Sequence, residues 1–186
     1  LGLPAGQDAA EPAPASAKTL YTDAVRTLIT QGQYYAAVAH IQEDRRAHGD
    51  SVELRLLEAH ARRNLGQVST ATALYQSVLR SQPGDAAAAE AHQGLGRLAA
   101  ARDPAMAMRE LREAVRLAPA NADIRNDYGY VLLHARRFAD ARTELATASE
   151  LAPGDLRARN NLLILLWASG DDTAAQQLAQ RSVRCV

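Results

Sequence analysis

The stretch YGYVLLHARRFADA, Tyr128 to Ala141, decides the fold. Val131, Leu132 and Leu133 stand among polar residues at helical spacing, so its first half reads as a helix. Gly129 lies inside that helix, where a glycine costs about 1 kcal/mol against alanine. Arg136, Arg137 and Phe138 then interrupt the apolar pattern. A turn at the two arginines, with small residues at Gly129 and Ala141 on either side of it, lets two helices cross at roughly 8 to 10 Å. The propensity cost at Gly129 is then offset by close contact. Phe138 is expected to open the second helix as a core anchor.

The same design recurs along the chain. Ala37 and Ala71 are 34 residues apart, as are Ala107 and Ala141, and Ala141 and Ala175; the step from Ala71 to Ala107 is 36. A bulky residue follows four places later at Ile41, Tyr75, Leu111 and Leu145, with Ala179 weaker in the last unit. Gly32, Gly66 and Gly170 stand five places before their alanines, and Arg136 fills that slot in the fourth unit. Pro83, Pro119 and Pro153 close three units. In the third unit the turn is one residue short, and the extra length lies in the alanine run Ala86 to Ala89. A period of this size marks an array of supersecondary units, each burying its apolar face against the next.

Composition agrees. Of the 186 residues, 47% are hydrophobic but only 4% aromatic, so the core is built from alanine and leucine, which are strong helix formers. Alternating or β-branched runs that would signal strands are missing. Ten helices are expected, at 17–31, 34–47, 51–64, 67–81, 86–101, 104–117, 122–135, 138–151, 155–168 and 172–184. Asp50 with Glu53 reads as a capping box, Asp103-Pro104 as an N-cap with proline at the first helical position, and Asn121, Asp155 and Asp171 as further N-caps. The last helix carries Gln176, Gln177, Gln180 and Arg181, which suits the hydrophilic cap that a terminal unit needs. Leu1 to Ser16, with Pro4, Pro12 and Pro14, reads as a flexible or extended tether, expected to be preceded by a membrane-attachment or export segment.

Several function classes are disfavoured. Twenty-one basic residues balance 21 acidic ones, which argues against nucleic acid as a partner. The longest apolar run, Leu162 to Ala168, falls far short of a membrane span of about 18 residues. Cys185 is the sole cysteine, so neither an internal disulfide nor a cysteine metal cluster is possible; a small side chain near the chain end is its plain reading. His40, His48, His60, His92 and His134 fall in different units without metal-ligand spacing, and no nucleophile, phosphate-binding or dinucleotide motif occurs. The chain is expected to be non-catalytic, without metal or cofactor.

These residues and their spacing resemble the tetratricopeptide repeat, with its pattern W-x2-L-G-x2-Y, A-x3-F and P. In the fourth unit Tyr128-Gly129 stand at the L-G step, Leu132 at the tyrosine, Ala141 and Leu145 at A-x3-F and Pro153 at the proline, while Arg125 replaces the tryptophan. The resemblance implies an all-α, right-handed tetratricopeptide-repeat superhelix, an α-solenoid. Its five helix-turn-helix units are set at about 18–51, 52–85, 86–121, 122–155 and 156–186. In that family the first helix of each unit lines a concave groove for protein partners. Carried over by position, the groove residues are Arg26 and Ile29; His60, Arg63 and Asn64; Gln93 and Arg97; Asn126, Tyr130 and His134; Asn160, Ile164 and Trp167. The groove would be basic toward the N-terminus and aromatic and amide-rich toward the C-terminus, suiting an extended peptide. Each of these residues also has a plainer reading, as a bridge between helices or as solvated surface. The family's lysine and asparagine clamp for C-terminal carboxylates does not match residue by residue.

Residues 126–171, NDYGYVLLHARRFADARTELATASELAPGDLRARNNLLILLWASGD, look like the TadD-type lipoproteins of the tight adherence (Flp) pilus apparatus. They are similar, more loosely, to the tetratricopeptide pilotins of type IV pili. What that implies is a periplasm-facing, outer-membrane-anchored scaffold that binds a segment of a secretin or pilus-assembly component. A cytoplasmic chaperone for secreted proteins and a docking module of an enzyme complex are the alternatives.

Overall fold

The computed structural model describes residues 17–183, with side chains over residues 21–180. Ten α-helices follow one another: α1 Ala17–Thr30, α2 Tyr34–His48, α3 Val52–Asn64, α4 Val68–Arg80, α5 Asp85–Ala99, α6 Pro104–Leu117, α7 Ala122–His134, α8 Phe138–Leu151, α9 Leu156–Ala168 and α10 Asp172–Val183. No strand occurs among the described residues. Leu1 to Ser16 and Cys185 lie outside them.

The helices pair as α1 with α2, α3 with α4, and so on, and each pair stacks on the next. First helices also touch one another in order, α1 to α3 to α5 to α7 to α9. Second helices make no such mutual contact among the described residues. A stack whose first helices converge while its second helices diverge must curve with α1, α3, α5, α7 and α9 inside. This is an α-solenoid, and its core is serial. Val25, Ile41 and Leu54 fill the layer among α1, α2 and α3. Tyr75, Ala91 and Leu95 fill the layer across α3, α4 and α5. Leu111, Leu132, Leu145 and Leu165 carry it on to α9.

The periodic residues explain the pairing. Ala37, Ala71, Ala107, Ala141 and Ala175 are all fully buried, as are Ile41, Leu111 and Leu145. Gly129 has the expected role but a different partner: a Cβ there would lie 2.6 Å from Cγ of Leu145, rather than against Ala141. Gly96 accommodates Leu111 in the same way, at 2.5 Å. Gly94 accommodates the ring of Tyr75 from α4, whose Cζ would be 2.2 Å from an added Cβ. Thus α5 is indented on two sides, once for each neighbour.

The turns repeat as well. Gly32, Gly66 and Gly170 have φ of 74°, 72° and 78°, and Arg136 takes the same left-handed conformation at 57°. The next residue closes each helix by donating back to a carbonyl five positions earlier: Gln33 to Leu28, Gln67 to Arg62, Arg137 to Leu132 and Asp171 to Leu166, at 2.8 to 2.9 Å. That is the helix-terminating bond of the Schellman motif. The shorter third turn closes differently, with Asp103 N–H on the Ala99 carbonyl at 2.8 Å.

Four expected caps form: Asp103 accepts from Met106 N–H, Asn121 from Ile124, Asp155 from Arg157 and Asp171 from Ala174. The capping box at Asp50 does not. Ser51 caps α3, accepting from Leu54 N–H at 3.1 Å. Asp50, one residue further out, is drawn instead to Arg45 and Arg55, at 2.9 and 3.2 Å. The position of the family's tryptophan is held by Arg125. Its guanidinium pairs with Glu144 at 2.7 Å and donates to the Pro119 carbonyl, so an ion pair links α7 to α8 there.

Candidate functional site

The inner helices carry every residue assigned to the groove. Their spacing along each helix puts them on shared faces: His60 and Arg63 three apart on α3, Tyr130 and His134 four apart on α7, Asn160, Ile164 and Trp167 within two turns on α9. Clefts line this side and share walls. Arg26 and Glu90 bound the first, of about 330 Å³, between α1, α3 and α5. Glu90 also borders the second, about 390 Å³, with His60, Arg63, Gln93 and Arg97. Arg97 continues into the third, about 450 Å³, with Tyr130 and His134. His134 continues into the fourth, about 380 Å³, with Leu133, Phe138 and Ile164. A continuous run of concavities therefore follows the inner helices.

Its two ends differ chemically. At the α3–α5 end, burial pushes the His60 imidazole down to about 4, helped by the charges of Arg63 and Arg97. The ring there is neutral at pH 7. Burial likewise pushes the Tyr75 phenol up, against the opposing pull of Arg63, and desolvation raises the Glu90 carboxyl. At the α7–α9 end Tyr130, Ile164 and Trp167 are 44%, 51% and 53% exposed, a large apolar presence for an open surface. The Tyr130 and His134 rings lie 4.3 Å apart, centroid to centroid.

Some assigned residues have structural partners instead. Asn126 is buried, and its Oδ1 accepts from Asn161 Nδ2 at 2.8 Å, stitching α7 to α9. Ile29 is buried in the first core layer rather than lining the groove. Gln93 and Arg97 both donate to Oδ2 of Asp127, each at 2.6 Å, tying α5 to α7. Arg26 pairs with Glu53 at 2.6 Å, α1 to α3, and Asn64 donates to the His60 carbonyl at 2.8 Å. Asp127 and Asn161 went unassigned in the sequence. The signal was there: Gln93 and Asp127 are 34 residues apart, Asn126 and Asn161 are 35. Polar residues one period apart on first helices are natural partners across the stack. Among the described residues no group of His, Cys, Asp and Glu is placed to hold a metal ion, and no helix is long and apolar enough to cross a membrane.

The profile of the tetratricopeptide-repeat family matches residues 98–160, from the end of α5 into α9. This is a tetratricopeptide-repeat protein. A relative over most of the array is the TPR repeat-containing protein PA4299 of Pseudomonas aeruginosa, 39% identical over 163 residues and 87% of this chain. The chain spans 63% of that relative's length. Among solved structures the array is similar to TTC0263, a thermophilic TPR protein of Thermus thermophilus. That likeness has a TM-score of 0.70 at 21% identity, covering 90% of this chain and 91% of that one. It is also similar to MamA from Desulfovibrio magneticus RS-1, with a TM-score of 0.69 at 18% identity over 92% and 96% of the two chains. These likenesses are of fold.

Proposed function

We propose that this TPR array is a non-catalytic protein–protein interaction scaffold that holds an extended peptide segment along its inner helices. The carrying observation is the run of clefts from α1 to α9, whose last two are lined by exposed Tyr130 and Ile164, with exposed Trp167 three residues beyond Ile164 on α9. An extended chain needs hydrogen-bonding groups for its backbone and pockets for its side chains, and the run offers both. The resemblance of residues 126–171 to TadD-type lipoproteins supports a narrower reading. In it the partner is a secretin or pilus-assembly component, and the array works in the periplasm, tethered to the outer membrane.

Site-specific photo-crosslinkers at Tyr130 and Asn160, in cells expressing the full-length gene, would identify the partner, and titration of the purified pair would follow. Trp167→Ala is expected to weaken binding by about thirtyfold, since a central aromatic anchor is worth about 2 kcal/mol. Glu150→Ala, on the exposed outer surface of α8, is expected to bind like wild type. The opposite pattern would move the function to the outer surface. Recovery of the full-length protein wholly in the cytosol would sink the periplasmic reading and favour a chaperone of secreted proteins.

A further inference from the structure

The run of clefts is polar and cationic at the α3–α5 end and carries exposed apolar side chains at the α7–α9 end, and two arginines in it lack a carboxylate among the described residues: Arg63, and the exposed Arg136 of the fourth cleft. Arg97 is held by Asp127 and Arg26 by Glu53. Arg63 forms no ion pair among the described residues, although it lines the α3–α5 cleft beside the Tyr75 phenol. Its side chain hydrogen-bonds that phenol, while its Nε is buried without a hydrogen-bond partner, at a cost in free energy. Two carboxylates share that cleft, and neither pairs with Arg63. Asp123 is bonded by Arg157, and Glu90 feels chiefly Arg26 and Arg97 among the nearby cations. His60 adds no competing charge, since it is neutral beside Arg63 at pH 7. A planar guanidinium in a partly desolvated cleft is suited to a carboxylate, which it binds through paired hydrogen bonds. At the other end, exposed Tyr130, Ile164 and Trp167 lack any covering element among the described residues and suit a large apolar side chain.

The separation of the two ends sets a spacing. The Arg63 cleft opens between α3 and α5, and the apolar end lies between α7 and α9. Touching helices sit about 8 to 10 Å apart, and the apolar end lies two steps from the middle of the cleft and two and a half from α3, which carries Arg63, so the two points are roughly 16 to 25 Å apart along the stack. An extended peptide covers about 3.3 Å per residue.

We propose that the groove reads a two-point motif in an extended peptide: an acidic side chain seated on Arg63 and a large apolar side chain seated on Tyr130, Ile164 and Trp167, roughly five to eight residues apart. This rests on the groove reading above and narrows it to a chemical pattern. Arg63 selects for charge at one end of the segment, and the aromatic end holds it. The three-residue apolar surface supplies most of the residence time, and the arginine supplies register.

The test uses short, C-terminally amidated Gly/Ser peptides carrying one Asp and one Phe at every separation and in both orders, titrated against the array by fluorescence polarisation. Amidation removes the terminal carboxylate, so any acidic preference belongs to the side chain. The expected result is tightest binding at a separation of roughly five to eight residues in one order. Changing the peptide's Asp to Asn, or its Phe to Ala, should each weaken binding by about tenfold. Arg63→Gln should abolish the Asp preference and keep the Phe preference, and Trp167→Ala should do the reverse. Binding that ignores separation, an Asn peptide that matches the Asp peptide on the wild-type array, or no binding by any peptide overturns the motif. The peptide arms need no protein variant, so a misfolded Arg63→Gln leaves the outcome decided. Phe-dependent binding lost in Trp167→Ala but indifferent to Asp would refute the motif while leaving the groove in place. Normal binding of the crosslinked partner by Trp167→Ala would refute the groove itself.

Discussion

Arg136 is a residue in a glycine's position. Three other units place glycine at this turn with φ near 75°, and Arg136 adopts 57°. A left-handed conformation costs an L-residue about 1 to 2 kcal/mol. Arg136 is exposed, and its N–H bonds the carbonyl three residues back, as that of Gly66 does. Arg136→Gly is therefore expected to raise stability by about 1 kcal/mol in chemical denaturation. A midpoint that does not move, or falls, would mean that the arginine side chain supplies a compensating contact. Gly94 presents the reverse case. Alanine would gain about 1 kcal/mol of helix propensity, yet its Cβ would lie 2.2 Å from the buried Tyr75 ring. Overpacking of a rigid ring costs about 1 to 3 kcal/mol, at the upper end for so close an approach. Gly94→Ala should thus destabilise, and a second change, Tyr75→Leu, should recover part of the loss in a double-mutant cycle. Additive effects would show that the two do not meet.

At the level of elements, α3 carries a titration set by its neighbours. An imidazole in the unfolded chain protonates near 6.5, whereas His60 in the fold stays neutral down to about 4 because α5 buries it and Arg63 and Arg97 face it. Between those values the unfolded chain binds the extra proton. This contribution is therefore complete above the unfolded value and is lost as pH falls toward the folded one. Full linkage would give a ceiling of about 3 kcal/mol, and solvent access at the cleft mouth reduces the expected loss to about 1 to 2 kcal/mol. Glu90, raised chiefly by desolvation, acts in the opposite sense, so the comparison must be with a variant. Denaturation at several pH values should show His60→Gln losing less stability than wild type as pH falls from 7 toward 4. Parallel curves would contradict the depressed value.

Across the whole molecule, stability passes from unit to unit because each touches only its neighbours. Asp127 is one of the links: it accepts from both Gln93 and Arg97, and its side chain is 17% exposed. Asp127→Ala would leave a half-buried guanidinium and a buried amide without that acceptor. A loss of about 2 kcal/mol is expected, with the units before α7 separating from those after it. Hydrogen exchange should then show α1–α5 and α7–α10 protected to different extents where wild type opens them together. Uniform loss along the chain would mean that the apolar layers alone carry the coupling.

The periodic alanines, the turn glycines and the four correct caps belong to what the sequence determined. Each depends on residues within one unit, and local geometry leaves them few alternatives. Asp50 departs from its expected capping role because Arg45 and Arg55, which bind its carboxylate, are brought together only by the turn between α2 and α3. The groove was legible as a register: the assigned residues do fall on inner helices, and Tyr130, Ile164 and Trp167 are open to solvent. Tertiary structure alone decided which of them are free. Asn126, Gln93, Arg97 and Arg26 are consumed by partners about one period away, and Ile29 by the core. Arg63 is left without a carboxylate because, of the two acidic side chains in the α3–α5 cleft, Asp123 is held by Arg157 and Glu90 forms no ion pair with it among the described residues. A polar side chain's availability depends on what the stacked neighbour offers at that distance, and that is a property of the superhelix rather than of any one unit.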